Sequence, residues 1–375
     1  MKRRLSLAVL TGIATDFFSL VTVIHQILLQ RLSLVQRLSF ASVMELALYD
    51  PDRGYYGPGP RRIGREGDFY TAVSVGPLYG RLLAGLALKN RSAMRAGDDF
   101  KVIEQAAHDG QLAEDILKDS DLNYLIVEPN PRYQEVQRQR LACFGDRVCW
   151  VATAADLPAG PALFVCNELP DAMPVHLVRW DGTQWEELFV TAEDSGRLLL
   201  SPGAPSSSLE VPISRLPVNL QPGHTLEINL AAEEWLLQLA SSRFHGQIVI
   251  ADYGLDQQEF WVPERAEGTL RRYHQHQMDD RVLEGLGECD LTSHVNFSRL
   301  LEVAEAEGLR LQTYEHQGRW LGRLAIPWLA SLEGRPQDAS TKALLRQFQS
   351  LTHPSIMGRS FRVLVLEKGA PAVSG

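Results

Sequence analysis

A chain of 375 residues, 45% hydrophobic and 22% charged, carries enough apolar material for a full α/β core with room for insertions. Its 37 Lys and Arg against 46 Asp and Glu leave a formal charge of −9, which argues against a free-standing nucleic-acid binder and slightly favours a basic substrate. Four cysteines (Cys143, Cys149, Cys166, Cys289) without a CxxC spacing argue against a disulfide framework and a zinc site, and suit buried thiols in a reducing, cytoplasmic setting.

Met1, Lys2, Arg3 and Arg4 precede apolar stretches over 5–14 and 17–29, a pattern like a signal or anchor segment. Asp16, His25 and Gln26 interrupt them, so no run reaches the roughly 18 apolar residues of a spanning helix. Residues 1–34 therefore read as an amphipathic helical extension, with no stable membrane insertion expected. Helical spacing of apolar residues over 30–50 predicts one or two helices, ended by Pro51-Asp52-Arg53-Gly54. A long loop rich in Gly and aromatic residues follows, up to Thr71, then a helix over 77–88; residues 35–98 form one region.

From residue 100 strands and helices alternate. Strands are predicted at 100–104, 124–128, 148–152, 162–166 and 247–251, and helices at 111–117, 131–144 and 231–241. That alternation implies βαβ units and a parallel sheet with helices on both faces. An inserted β-meander at about 175–222 interrupts it, with strands at 175–180, 185–191 and 197–200 and a turn at Asp181-Gly182. A polar excursion over 256–292, a helix over 297–307 and strands at 309–313 and 361–367 complete a domain running over 99–368, with 369–375 as a tail.

The segment from Glu104 to Gly110 lies between the first strand and its helix. A loop there brings backbone N–H groups and a helix N-terminus to the sheet's carboxyl edge, where open α/β sheets bind ligands. Glu128 ends the next strand, 24 residues after Glu104, and can accept hydrogen bonds from both ribose hydroxyls of a nucleoside. Alone it would serve as well to cap a strand; its pairing with the first loop favours the cofactor reading. Asn167-Glu168-Leu169-Pro170-Asp171-Ala172 follows the fourth strand, where its carboxylates could dock a guanidinium or simply cap the next helix. Asp252-Tyr253-Gly254 ends a later strand, either on the substrate side or as a terminating turn. His274, His276, Asp290 and His294 match no strong ligand template, so no metal is expected. The GxxxxGK[ST], GxSxG and HExxH motifs are absent.

Taken together, several stretches resemble one family. They are residues 40–49, Gly54-Tyr55-Tyr56, Gly64 with Gly67-Asp68-Phe69-Tyr70-Thr71, residues 167–174, Asp252-Tyr253-Gly254, Gly268-Thr269-Leu270-Arg271, residues 290–297, and Gly358 with Phe361. In this order, over about 35–368, the chain resembles the MidA-like S-adenosylmethionine-dependent methyltransferases, whose mitochondrial members are complex I assembly factors that methylate an arginine of a complex I subunit. The resemblance implies a Rossmann-like class I methyltransferase sheet and S-adenosyl-L-methionine as cofactor. It implies that Glu104, Ala106, His108, Gly110, Glu128 and Asn167 hold this cofactor, and that the Gly67-Asp68-Phe69 loop folds over it. It further implies a substrate side at Asn167, Glu168, Asp171 and Asp252, and as acceptor a protein arginine, with a respiratory complex I subunit as candidate partner; a homodimer stays open. One departure stands out. The family's Glu-x-Gly-x-Gly-x-Gly loop here carries Ala106 and His108 at its first two glycine places and keeps Gly110. That departure motivates a rival expectation, a non-catalytic assembly factor or chaperone of the same fold; a small-molecule methyltransferase is a third.

Overall fold

The computed structural model describes residues 22–60, 71–274, 277–334, 336 and 338–370. The chain divides into two compact units, one of residues 59–173, 229–265 and 293–375, the other of residues 1–58, 174–228 and 266–292. The sequence reading set 35–98 and the meander apart by chain order. In the structure the meander joins the N-terminal helices, and the helix after residue 77 belongs with the large sheet.

The larger unit is built on seven strands: β1 (Lys101–Gln105), β2 (Asn123–Val127), β3 (Val148–Val151), β4 (Gly160–Asn167), β5 (Phe244–Leu255), β6 (Arg310–His316) and β7 (Phe361–Lys368). Their order across the sheet is β3-β2-β1-β4-β5-β7-β6. Neighbours among the first five are parallel, and β7 runs antiparallel to both β5 and β6. The inner strands β1, β2, β4 and β5 are buried on both faces, which is why they read as short continuous apolar runs. Val102, Ile126, Val165, Val249 and Val363 point into one core. Their chain neighbours Ile103, Leu125, Phe164, Ile250 and Leu364 point into the other.

The first core is covered by α1 (Leu78–Ala93), α2 (Gln111–Lys118) and the end of α3 (Pro131–Leu141); the second by α4 (Leu230–Ser241) and α5 (Phe297–Ala306). Two helices that the sequence reading left unassigned, α6 (Gln317–Leu324) and α7 (Ala339–Thr352), add Trp320, Leu321 and Leu351 to the first core. Asn130 caps α3 by accepting from the Arg132 N–H at 2.9 Å, with Pro131 at the first helical position.

The smaller unit holds helices Val23–Val35 and Phe40–Tyr49 and an antiparallel sheet of Leu38–Ser39, His176–Trp180, Trp185–Ala192, Leu198–Gly203 and Thr225–Ile228. The polar excursion carries a second sheet, with Arg271–His274 between Gln277–Asp279 and Asp290–Thr292. Half-buried Glu227 accepts from the Thr269 and Leu270 N–H groups at 2.7 and 2.9 Å and from the Thr269 hydroxyl at 3.0 Å, which accounts structurally for the Gly268-Thr269-Leu270 stretch. Only Cys166 and Cys289 are buried; Cys143 and Cys149 are exposed, against the expectation of four buried thiols. Among the described residues no helix is long and apolar enough to cross a membrane.

Candidate active site

The strand order reverses between β1 and β4, so the chain leaves the sheet in opposite directions at their carboxyl ends and opens a crevice there. Nearly every site residue expected from the sequence lies at that edge of the larger unit; Gly67, Asp68 and Phe69 fall outside the described residues.

The β1–α2 loop has left-handed backbone at every second residue: Ala106 (φ 65°), His108 (φ 47°) and Gly110 (φ 84°). The glycine-type conformation is thus kept at all three places although two side chains have replaced glycine. At Gly110 a Cβ would approach Leu141 Cδ1 to 3.3 Å, so glycine remains where α3 packs closest. The His108 ring stands edge-on to Tyr133 of α3 at 5.8 Å and 77°. Its Nδ1 is 3.7 Å from Asp109 Oδ1. Arg140 donates to Asp109 Oδ2 at 2.6 Å, to Gln111 Oε1 at 2.6 Å and to Glu114 Oε2 at 2.8 Å. Burial pushes the Asp109 carboxyl up, but His108 and Arg140 together outweigh it and hold the group below its usual range.

Glu104 is buried at the end of β1 and accepts from the Tyr124 hydroxyl on β2 at 2.7 Å. Burial pushes its carboxyl up to about 8, partly opposed by that bond. Glu128 follows β2, its Oε1 accepting from the Asn130 N–H at 2.9 Å and its Oε2 from Gln137 Nε2 at 3.2 Å. Each oxygen keeps a lone pair beyond these bonds, enough for two further donors. Burial raises the Glu128 carboxyl to about 7, against the pull of those two donors.

At the ends of β4 and β5 the second group assembles. Asn167 Nδ2 donates to Glu168 Oε1 at 2.8 Å, which turns the amide oxygen the other way. That Oδ1 is buried and has no hydrogen-bond partner among the described residues. Glu168 is left-handed (φ 53°), and its N–H donates to the Ala251 carbonyl of β5 at 2.9 Å. Non-glycine residues held in this region cluster at functional sites. Asp171 is buried, and its N–H donates to Asp252 Oδ2 at 3.1 Å; Asp252 Oδ1 accepts from the Tyr253 N–H at 2.7 Å. Asp252 has no exposed surface; burial first, then the charges of Asp171 and Glu168, hold its carboxyl well above the usual range. Burial first, then the charges of Glu168 and Glu104 among others, raises the Tyr79 phenol, and burial followed by the charges of Asp252 and Glu104 raises the Cys166 thiol.

Sequence reasoning missed the residues that brace these groups: Tyr124 under Glu104, Asn130 on Glu128, and Gln137 and Arg140 on α3. The available signal was a stripe at helical spacing, Tyr133, Gln137 and Leu141, which are the buried residues of α3.

Residues 82–315, well over half of the chain, match the model of a family of S-adenosyl-L-methionine-dependent methyltransferases. Over 88% of its length the chain is 27% identical to the mitochondrial protein arginine methyltransferase NDUFAF7 homolog of Drosophila melanogaster, covering 82% of that protein. It is 26% identical to the mitochondrial protein arginine methyltransferase NDUFAF7 of Rattus norvegicus, again over 88% of this chain and covering 80% of the relative. A crystal structure from Burkholderia thailandensis with S-adenosyl-homocysteine bound is 27% identical and superposes with a TM-score of 0.83, covering 92% of this chain and 93% of the other. The chain belongs to this family of S-adenosyl-L-methionine-dependent methyltransferases.

Proposed function

We propose that the chain methylates an arginine side chain of a protein, and that the two residue groups divide the work between cofactor and acceptor. The residues present fit the cofactor. Glu128 has lone pairs for two ribose hydroxyls. The left-handed β1–α2 loop leads into the N-terminus of α2, beside which a carboxylate is favoured. The unpartnered Asn167 Oδ1 calls for a donor. Bound S-adenosyl-L-methionine supplies an electrophilic methyl group on sulfonium. Glu104, Ala106, His108 and Gly110 shape the loop side of this cradle.

The observation that carries the acceptor assignment is the convergence of Glu168, Asp171 and Asp252 beside Asn167 at the strand switch point. A guanidinium offers five N–H donors in a planar fork, and carboxylates match it in charge and geometry. In this reading Glu168 and Asp171 would accept those N–H groups and draw the positive charge to one side; as the other nitrogen bonds the methyl carbon, the methyl–sulfur bond would break to leave S-adenosyl-homocysteine, and the proton that nitrogen loses would pass to Glu168. Holding acceptor and donor in line is the larger part of such catalysis. Asp252, wholly buried, is a positioning residue that fixes the Asp171 backbone. The relatives named as protein arginine methyltransferases support a protein acceptor. A respiratory complex I subunit is the first acceptor to test.

The test is transfer of tritiated methyl from the cofactor into a host lysate, followed by peptide mapping. Label on arginine, lost in Glu168→Gln, is the expected result. Label confined to low-mass products would replace this reading with small-molecule methylation. Tight S-adenosyl-homocysteine binding without any label would leave a non-catalytic assembly factor.

A further inference from the structure

The cradle described above has two halves, the β1–α2 loop and the end of β2, and one buried side chain is bonded to both. Gln137 on α3 has no exposed surface. Its Nε2 donates to the His108 carbonyl at 2.8 Å and to Glu128 Oε2 at 3.2 Å. Its Oε1 accepts from the Trp150 indole N–H of β3 at 2.9 Å. The Trp150 bond decides the orientation of the amide, because an indole N–H only donates and therefore takes the oxygen. Both amide hydrogens are then committed, one to the loop and one to the carboxylate. Trp150 is itself covered by the Arg138 guanidinium, 4.2 Å from the ring centroid.

We propose that Gln137 is a positioning residue for the cofactor: its single amide sets the spacing between the His108 peptide of the loop and the Glu128 carboxylate. The inference rests on the reading of these two groups as the cofactor cradle. Three features support it. An apolar side chain would fill a buried position without the need to satisfy an amide, so a fully paired Gln is a device for geometry rather than stability. The carbonyl it holds belongs to His108, whose left-handed backbone lacks the freedom of glycine and needs an external hold. The carboxylate it holds is the one placed to take the ribose, and the bond favours its ionised form, opposing the effect of burial.

The experiment measures S-adenosyl-homocysteine binding by calorimetry between pH 5.5 and 8.5 for the full chain and for Gln137→Leu, Gln137→Glu and Glu128→Ala. The carboxylate of Glu128 faces the Asn130 N–H and the Gln137 amide; the titratable and charged side chains of the network, His108 and Arg138, are unchanged in all variants. Gln137→Leu is expected to weaken binding about tenfold, the loss of a charge-assisted bond, and to move the midpoint of the pH profile upward. Its kcat at saturating cofactor stays within about twofold of wild type while KM for the cofactor rises. Wild-type affinity and an unshifted midpoint in Gln137→Leu would overturn the proposal. Gln137→Glu keeps the size of the side chain and covers the case in which Gln137→Leu does not fold. At pH 8.5 its carboxylate opposes both Glu128 and the His108 carbonyl, so its affinity falls more than tenfold below wild type, and the gap narrows toward pH 6. A gap independent of pH would count against the proposal. If wild type fails to bind, or Glu128→Ala binds as wild type does, the cradle reading itself fails, an outcome separate from any behaviour of Gln137.

Discussion

Restoring glycine to the β1–α2 loop should stabilise the protein, and unequally at the two positions. A left-handed backbone costs a non-glycine residue about 1–2 kcal/mol, and Ala106 sits there at φ 65°. Glycine removes that cost but gives up about 0.5–1 kcal/mol in chain entropy. Ala106→Gly is therefore worth about 0.5–1 kcal/mol, a Tm increase of roughly 1–4 °C for a unit of this size. His108→Gly relieves strain at φ 47°, but histidine tolerates this region better than most residues. It also loses the Tyr133 edge contact, worth about 0.5–1.5 kcal/mol, so its Tm stays near wild type. His108→Ala keeps the strain and loses the ring, and falls below both. Thermal unfolding followed by circular dichroism reads the order directly. A lower Tm in Ala106→Gly than in wild type, or His108→Ala above His108→Gly, would refute the argument that strain is stored in this loop.

Stability should also decline with rising pH. Burial lifts Glu104 to about 8 and Glu128 to about 7, above the 4.5 of an ordinary glutamate. Their protonated forms favour the fold, a contribution fully present below about 4.5 and lost as pH rises through those values. Tm is expected to fall between pH 5 and 8.5 and to fall less in Glu104→Gln; a Tm that climbs through this window would count against it. S-adenosyl-homocysteine affinity should strengthen as pH rises through about 7, following ionisation of Glu128, and Glu128→Ala should weaken it about a hundredfold while flattening the profile; isothermal calorimetry measures both. Glu168→Gln should cut arginine methylation by roughly 10–100-fold with S-adenosyl-homocysteine affinity unchanged, and a parallel loss of affinity would move Glu168 to the cofactor side.

The inner strands β1, β2, β4 and β5 of the large sheet were readable because burial on both faces leaves unbroken apolar runs such as Tyr124-Leu125-Ile126-Val127. Burial of α6 and α7 left a fainter trace. Gly318 and Gly322 interrupt the periodicity of α6, Pro327 and Gly334 lie between the two helices, and only Gln317, Trp320, Leu321 and Leu351 of the two are buried. The small sheet after Ala266 was hidden for another reason. Buried Arg272 donates to Asp279 at 2.9 and 2.6 Å and to the Glu284 carbonyl at 3.2 Å, pairings that no local pattern reveals. At the site, the acidic residues stood out because carboxylates at strand ends are conspicuous. Gln137 did not, being one of several glutamines and arginines on a polar helix whose partners lie 29 residues before it and 13 after. The left-handed loop was disguised too, since the usual sign of such backbone is glycine and two of its three positions carry side chains.

The place of β7 bears on how the sheet is completed. Its neighbours β5 and β6 both precede it in the chain, so they must leave a strand's width between them until Phe361–Lys368 arrives. A molecule ending before Phe361 would lack the strand that pairs with both β5 and β6, leaving two unpaired edges, one of them carrying Ile248 and Ile250. Open edges of that kind recruit foreign strands and aggregate. Closure of the sheet by its latest strand thus leaves a truncated product open to pairing with foreign strands, a liability set by the order of the strands.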